Sequence, residues 1–380
     1  MHTSYQQEIA SYFQHQDFSL GVRRLLDYCL DLNNTDVLKQ AIAISKEYNE
    51  YKDESKQEHL KNIQAKAELL LQQTSTLQIS HTTSQKLISV DAVGKTYRGG
   101  NFTLQPVSLQ IASGDIYGIV GENGNGKTSL LRCLAGQLSI DKGSVAYHFL
   151  NNPDFYTIKH HIAFIPQRIP KWYGLLKDNL HFSASISGVY GAANDLIVDF
   201  MLERLNLTKY AHLNWNQISS GYRTRFELAR ILLQKPKLLI LDEPLANLDI
   251  NAQQTILTDL RFMAKSSYNS MGILLSSQQL HEVEKIADSV LFIKQGSVIH
   301  QQKEQATTTV LNYVLELETT SERNELLAVL GETVQLSYNG GFYTITSSQF
   351  TSQEIINKLV SKQIPVTYFR DITHSTKRFF

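Results

Sequence analysis

The stretch that most constrains this chain is Gly121-Glu122-Asn123-Gly124-Asn125-Gly126-Lys127-Thr128-Ser129. An apolar run with Ile116, Tyr117, Ile119 and Val120 leads into it, and Leu130, Leu131, Cys133 and Leu134 follow at helical spacing. The unit reads as strand, loop and helix, the context that a phosphate-cradling loop requires. Its glycines let the backbone curl until successive N–H groups face one concavity, and the helix beyond adds its positive end. Lys127 has the reach for β- and γ-phosphates, and the Thr128 hydroxyl suits a magnesium ion. A cation about 4 Å from a phosphate oxygen gains ~4 kcal/mol at an effective dielectric near 20, so the lysine is a principal anchor. The stretch predicts a nucleoside triphosphate site.

A second constellation lies downstream. Lys237-Leu238-Leu239-Ile240-Leu241-Asp242-Glu243-Pro244 is an apolar strand ending in two carboxylates. A continuous apolar run suits a parallel strand buried on both faces, and such sheets gather their ligands at the strands' carboxyl ends. Asp242 is then placed to hold the metal, and Glu243 to polarise a water against the γ-phosphate as general base.

Composition narrows the partners. Lys plus Arg and Asp plus Glu both number 36, so the formal charge is zero and no global basic excess supports nucleic-acid binding. Cys29 and Cys133 show neither metal nor disulfide spacing and sit in apolar helical patterns, which predicts buried thiols and a reducing compartment. Met1 to Phe13 is polar and lacks the apolar core of a signal peptide, and no run approaches the ~18 apolar residues of a membrane span.

Taken in order, residues 1–75 form a small helical region. Val22, Leu25, Cys29 and Leu32 repeat at helical spacing, as do Leu60, Ile63, Ala67, Leu70 and Leu71, with Val37, Leu38, Ala41, Ile42 and Tyr48 between them. These stripes are expected to form the region's own core, with a partner-docking face as the alternative. Residues 76–86, rich in Ser, Thr and Gln, are a linker. Strand and helix signals alternate through 87–304: an α/β domain with a parallel sheet, preceded by an antiparallel piece. Residues 305–380 read β-α-β-β-α-β, with Asn339-Gly340-Gly341 at the hairpin, the order of a ferredoxin-like α+β domain.

The middle domain resembles, from about Leu87 to Gln302, the ATP-binding cassette of ABC transporters, a P-loop NTPase fold with a parallel sheet core, an antiparallel β subdomain and a helical subdomain. Tyr97 matches the aromatic that stacks on adenine in that family. Gln167, in Phe164-Ile165-Pro166-Gln167, matches the glutamine that contacts Mg²⁺ and the attacking water. Ile218-Ser219-Ser220-Gly221-Tyr222 stands where the family signature lies, with Ser220 and Tyr222 departing from the usual Leu-Ser-Gly-Gly-Gln. By itself the stretch reads equally as an N-capped helix. Ala246-Asn247-Leu248-Asp249 matches the D-loop, and Ser276-Ser277-Gln278 falls at the switch histidine, with Gln278 in its place. A neutral amide can still donate to a phosphate oxygen, so the resemblance implies a slower ATPase rather than an inactive one. His281 is expected on the solvated side of its helix.

The resemblance implies ATP and Mg²⁺ as ligands and a second cassette that closes over the first, Ser219 to Tyr222 meeting its γ-phosphate. It further implies a separate integral-membrane permease, and hence a cytoplasmic chain peripheral to the inner face of the cell membrane. The span Pro170 to Tyr190, which includes Leu175, resembles the permease-receiving surface, with Trp172 and Tyr173 either docking aromatics or local packing. The ending Asp371 to Phe380 resembles that of exporter-type subunits. The competing readings are a soluble ABC ATPase acting on ribosomes or DNA, and a weakly hydrolysing nucleotide sensor motivated by Gln278. One cassette, no internal heptad run and zero net charge weigh against the ribosome or DNA reading.

Overall fold

A computed structural model describes residues 2–51, 57–77, 85–97, 99, 102–150, 154–246, 248–266, 270–303, 313–331, 333–339 and 341–373. The chain divides into two compact units, Met1–Gln301 and Gln302–Phe380.

The first unit opens with four helices: α1 (His2–Gln14), α2 (Phe18–Asp31), α3 (Thr35–Tyr51) and α4 (Gln57–Gln73). Asp17 starts α2 as its N-cap, its carboxylate accepting the Leu20 N–H. Gly21 lets α1 and α2 approach closely, because a Cβ there would stand 3.0 Å from the Phe13 ring. Ile9, Phe13, Leu25, Cys29, Ile63 and Ala67 are fully buried between the helices. The expectation of a self-contained core needs correcting, since this apolar cluster continues into the helices of the following domain.

That domain holds two sheets. The smaller is antiparallel, with β1 (Lys86–Thr96) between β2 (Thr103–Ala112) and β4 (Lys142–Tyr147). The larger has the order β5-β6-β7-β3-β8-β9, built from β3 (Ile116–Val120), β5 (Ile162–Ile165), β6 (Leu238–Leu241), β7 (Gly272–Ser277), β8 (Ser289–Lys294) and β9 (Ser297–Lys303). Strands β3, β6 and β7 are buried throughout, as expected of mainly apolar strands in a parallel sheet covered on both faces, with Ser276 and Ser277 ending β7. Val120 pairs with Ser277 and Leu241 with Leu275, so the chain leaves β3, β6 and β7 at one edge of the sheet. The site is built on that edge. Helix α5 (Lys127–Leu134) follows β3, α6 (Phe155–His161) precedes β5, and α7 (Leu176–Ile186), α8 (Gly191–Arg204) and α9 (Ser220–Leu232) fill the stretch between β5 and β6. Helix α10 (Ile250–Ala264) precedes β7, and α11 (Leu280–Glu284) follows it.

The N-terminal helices are joined to α8 and α10 by charge as well as apolar contact. Arg204 is fully buried, its Nε 2.5 Å from Asp27 Oδ1 on α2 and its Nη1 2.6 Å from Asp259 Oδ1 on α10. Arg23 donates to the same Asp259 oxygen at 3.0 Å. Glu203 accepts from Ser45 and Asn49 of α3, each at 2.8 Å.

The second unit runs β10 (Tyr313–Glu318), α12 (Arg323–Leu330), β11 (Gln335–Asn339), β12 (Phe342–Ser347), α13 (Ser352–Ser361) and β13 (Tyr368–Asp371). Its sheet has the order β11-β12-β10-β13, with every neighbouring pair antiparallel. Leu315, Leu317 and Ile345 pack with Leu326, Leu330, Ile355 and Leu359 from the two helices. Thr351 and Glu354 close a capping box at the start of α13, and the Thr351 N–H and hydroxyl hold the Glu354 carboxyl below its usual pKa.

Candidate active site

The loop between β3 and α5 has its shape because two positions admit only glycine. A Cβ on Gly121 would stand 2.3 Å from the Ile293 carbonyl oxygen, and Gly126 combines φ 101° with a Cβ position 2.6 Å from the Phe102 ring. Gly126 is the N-cap of α5 and offers no side-chain acceptor, so the first N–H groups of the helix stay available to an anion. Asn125 ties the loop to the β8–β9 turn, its Oδ1 accepting the Gln295 N–H at 2.8 Å and its carbonyl the Gly296 N–H at 3.2 Å.

Charge then converges on the loop from β6 and β7. Lys127 is 4% exposed; its Nζ donates to the carbonyls of Gly121 at 2.6 Å and Glu122 at 3.1 Å, and lies 3.1 Å from Glu243 Oε1. The other Glu243 oxygen accepts from Gln167 Nε2 and Gln278 Nε2, each at 2.9 Å. Beside it, Asp242 accepts from the Thr128 hydroxyl at 2.8 Å and from the Ser276 hydroxyl at 2.8 Å. Ser276 also accepts the Glu243 N–H at 2.9 Å, so one hydroxyl fixes both acidic residues. Glu243 has φ 47°, a left-handed backbone that costs of order 1–3 kcal/mol outside glycine and persists where its surroundings over-determine it. Thus Lys127, Thr128, Gln167, Asp242, Glu243 and Gln278 form one cluster. The part played by Ser276 was missed from sequence; the available signal was a hydroxyl ending an otherwise apolar strand.

The remaining residues lie around this cluster or apart from it. Tyr97 is 39% exposed beside the loop, its hydroxyl 2.9 Å from Ser129 Oγ. Ser219 is the N-cap of α9 with no side-chain capping bond. Gly221 lies against α10, its Cβ position 3.6 Å from Leu248 and 3.8 Å from Ala252. The Tyr222 ring lies 4.0 Å from that of Tyr210, and burial together with Tyr210 pushes its phenol up to about 12. Asp249 caps α10, accepting the Ala252 N–H at 2.9 Å. Asn247 and the side chain of His281 lie outside the described residues, as do residues 374–380 of the C-terminal ending. Trp172 belongs to local packing: it is 8% exposed, stacks on Trp215 at 5.0 Å and donates to Glu227 at 3.0 Å. Its neighbour Tyr173 is 81% exposed.

A family model described as ABC transporter matches residues 104–246. The ABC transporter ATP-binding protein YxlF of Bacillus subtilis is 31% identical over 231 residues, covering 59% of this chain and 75% of that protein. The chain belongs to the ABC transporter ATP-binding proteins. Among these relatives, Phosphonates import ATP-binding protein PhnC 2 of Oceanobacillus iheyensis is 28% identical over 229 residues, 56% of this chain and 89% of that one. YdbJ of Bacillus subtilis is 26% identical over 301 residues, covering 78% of this chain and 95% of its own length. Two solved structures share the fold: cbiO1 from Clostridium perfringens (TM-score 0.51, 24% identity, 58% of this chain and 89% of that one), and a dimeric ATP-binding cassette with ADP and phosphate (TM-score 0.52, 20% identity, 58% and 100%). This ABC transporter ATP-binding protein is thus the ATP-hydrolysing subunit of a transporter. Among the described residues no helix is long and apolar enough to cross a membrane.

Proposed function

We propose that the cluster around Glu243 is the hydrolytic centre and that its ATP-free arrangement rearranges when the nucleotide enters. Lys127 and the N–H groups of Gly121 to Ser129 take the β- and γ-phosphates, which displaces the Glu243 carboxylate from Lys127. Glu243 then turns its carboxylate to the attacking water as general base, with Gln278 orienting it. Tyr97 stacks on the adenine. The Thr128 hydroxyl, the Asp242 carboxylate and the Gln167 amide are oxygen donors of the kind a hard cation takes, so these residues fit Mg²⁺. Bound there, the ion neutralises charge developing on the β- and γ-oxygens. The observation that carries this reading is the grip of Lys127, Gln167 and Gln278 on one carboxylate held at a left-handed backbone position.

The working unit in this reading is a dimer, in which Ser219 to Tyr222 and Asp249 of one copy close over the γ-phosphate of the other. The N-terminal end of α9, with no side-chain cap of its own, supports that role. A separate permease docks near exposed Tyr173 and Leu175, which makes the chain peripheral at the inner membrane face. Residues 305–380 form a ferredoxin-like domain, a reading supported by the β11-β12-β10-β13 order. The exporter-type reading rests on a resemblance that reaches, more weakly, into the C-terminal unit and its ending, whereas relatives such as PhnC 2 are named as importers. The test is dimerisation of a Glu243→Gln chain in saturating Mg-ATP, followed by light scattering. A dimer that requires ATP supports the reading; a monomer at saturation overturns it.

A further inference from the structure

A cavity of about 640 Å³ lies where α2 and α3 meet α8, the end of α9 and α10. Its size is that of sites that enclose small organic ligands, about 300–1,000 Å³. The wall is mainly apolar, and several of its members, Leu30, Leu196, Ile197 and Met263 among them, are only half-buried. The fold thus leaves apolar surface facing a chamber rather than packing it away.

The lining also carries positive charge. Lys39, Lys235 and Lys237 are among the lining residues and are exposed. Lys39 has a carboxylate no nearer than Asp36, at 3.7 Å on the exposed side of α3, and neither Lys235 nor Lys237 has an acidic partner among the described residues. The two acidic residues of the lining are already engaged: Asp27 with Arg204, and Asp31 accepting from Ser266 at 2.8 Å. An apolar chamber lined by three lysines, two of them without an acidic partner among the described residues, complements a molecule with an aliphatic body and one anionic end. A peptide segment suits it less, because its backbone N–H and C=O groups would meet a wall with few polar partners.

We propose that this chamber binds a long-chain carboxylate, with its tail among the α2, α3 and α8 side chains and its head at Lys39, Lys235 and Lys237. Because the walls come from both the N-terminal helices and the cassette, occupancy would stabilise their junction, by an amount that grows with the logarithm of ligand concentration. The proposal does not depend on the hydrolytic roles assigned above.

The full chain is titrated with a dansyl-labelled fatty acid, with palmitate and hexadecanol as unlabelled competitors. The expected result is saturation at one probe per chain and displacement by palmitate at concentrations about tenfold or more below hexadecanol. The double variant Lys39→Glu, Lys235→Glu changes only exposed residues; it should weaken palmitate about tenfold while ATP binding stays unchanged. Leu196→Trp, which fills the chamber, should abolish probe binding. Absence of saturable binding, equal competition by the neutral alcohol, or an unchanged palmitate affinity in the lysine variant would each overturn the proposal.

Discussion

The phosphate loop and the seam around Arg204 both confine charge in the protein interior, by opposite means. In the loop, the carbonyls that bind Lys127 lie six and five residues before it, and one of them belongs to Gly121, itself one of the two glycines that shape the turn. In the seam, Arg204 is held by Asp27, 177 residues away, and by Asp259, 55 residues away. The loop is a local device whose backbone cannot form without its residue types. The seam is assembled by tertiary proximity, which brings one guanidinium between two carboxylates from distant helices. Function sits on the first, while the second fixes how the extra helices are attached.

The sharpest way to separate the two is to disable each alone. Glu243→Gln should lower steady-state ATP turnover by ~10²–10⁴, the usual contribution of a general base, without loosening the fold. A loss below about threefold would remove Glu243 from the chemistry. Arg204→Met should leave Asp259 with Arg23 alone and Asp27 with Arg24 alone, and cost about 3 kcal/mol in a denaturant titration, the lower end for breaking a buried pair. A cost under ~1 kcal/mol for Arg204→Met would mean the seam is hydrated and that apolar contact alone holds the helices.

A smaller effect tests the neutral residue in the cluster. Gln278→Ala deletes one hydrogen bond to the Glu243 carboxylate and should slow turnover by roughly 10- to 100-fold, as the ~1.5–3 kcal/mol of a bond to a charged group implies. The smallest concerns Cys133, whose thiol burial pushes from an ordinary 9.0 up to about 11. Above pH 9 the unfolded thiol ionises while the folded one stays protonated, so this group's contribution to stability is full below pH 9 and is lost between there and pH 11. Cys133→Ala should flatten the fall in stability over that window; an unchanged slope would show that the thiol is not shielded.

The same contrast explains what could be read from residues alone. The glycine-rich loop between β3 and α5, the end of β6 and the strand–helix alternation after Tyr313 are local patterns, readable from neighbouring residues as secondary structure. Helix α1 was not legible, because its few apolar residues, Ile9 and Phe13 chief among them, gain a partner surface only when α2 and α4 arrive. The sharing of the N-terminal core with the cassette was misread for the same reason: Ser45, Asn49 and Glu203 carry no signal of one another across more than 150 residues. Trp172 was ambiguous because its stacking partner, Trp215, stands on a distant turn. Ser276 was visible as a hydroxyl, but its double bond to Asp242 and the Glu243 N–H depends on β6 and β7 lying side by side.

The central claim is that main-chain amides, one lysine and two acidic residues converge on a single nucleotide. Equilibrium titration of ATP into the Lys127→Ala chain tests it most directly. Removing a buried cation that faces the phosphates should weaken affinity at least about tenfold, with the chain still folded. Affinity within about twofold of the unaltered chain would contradict the account.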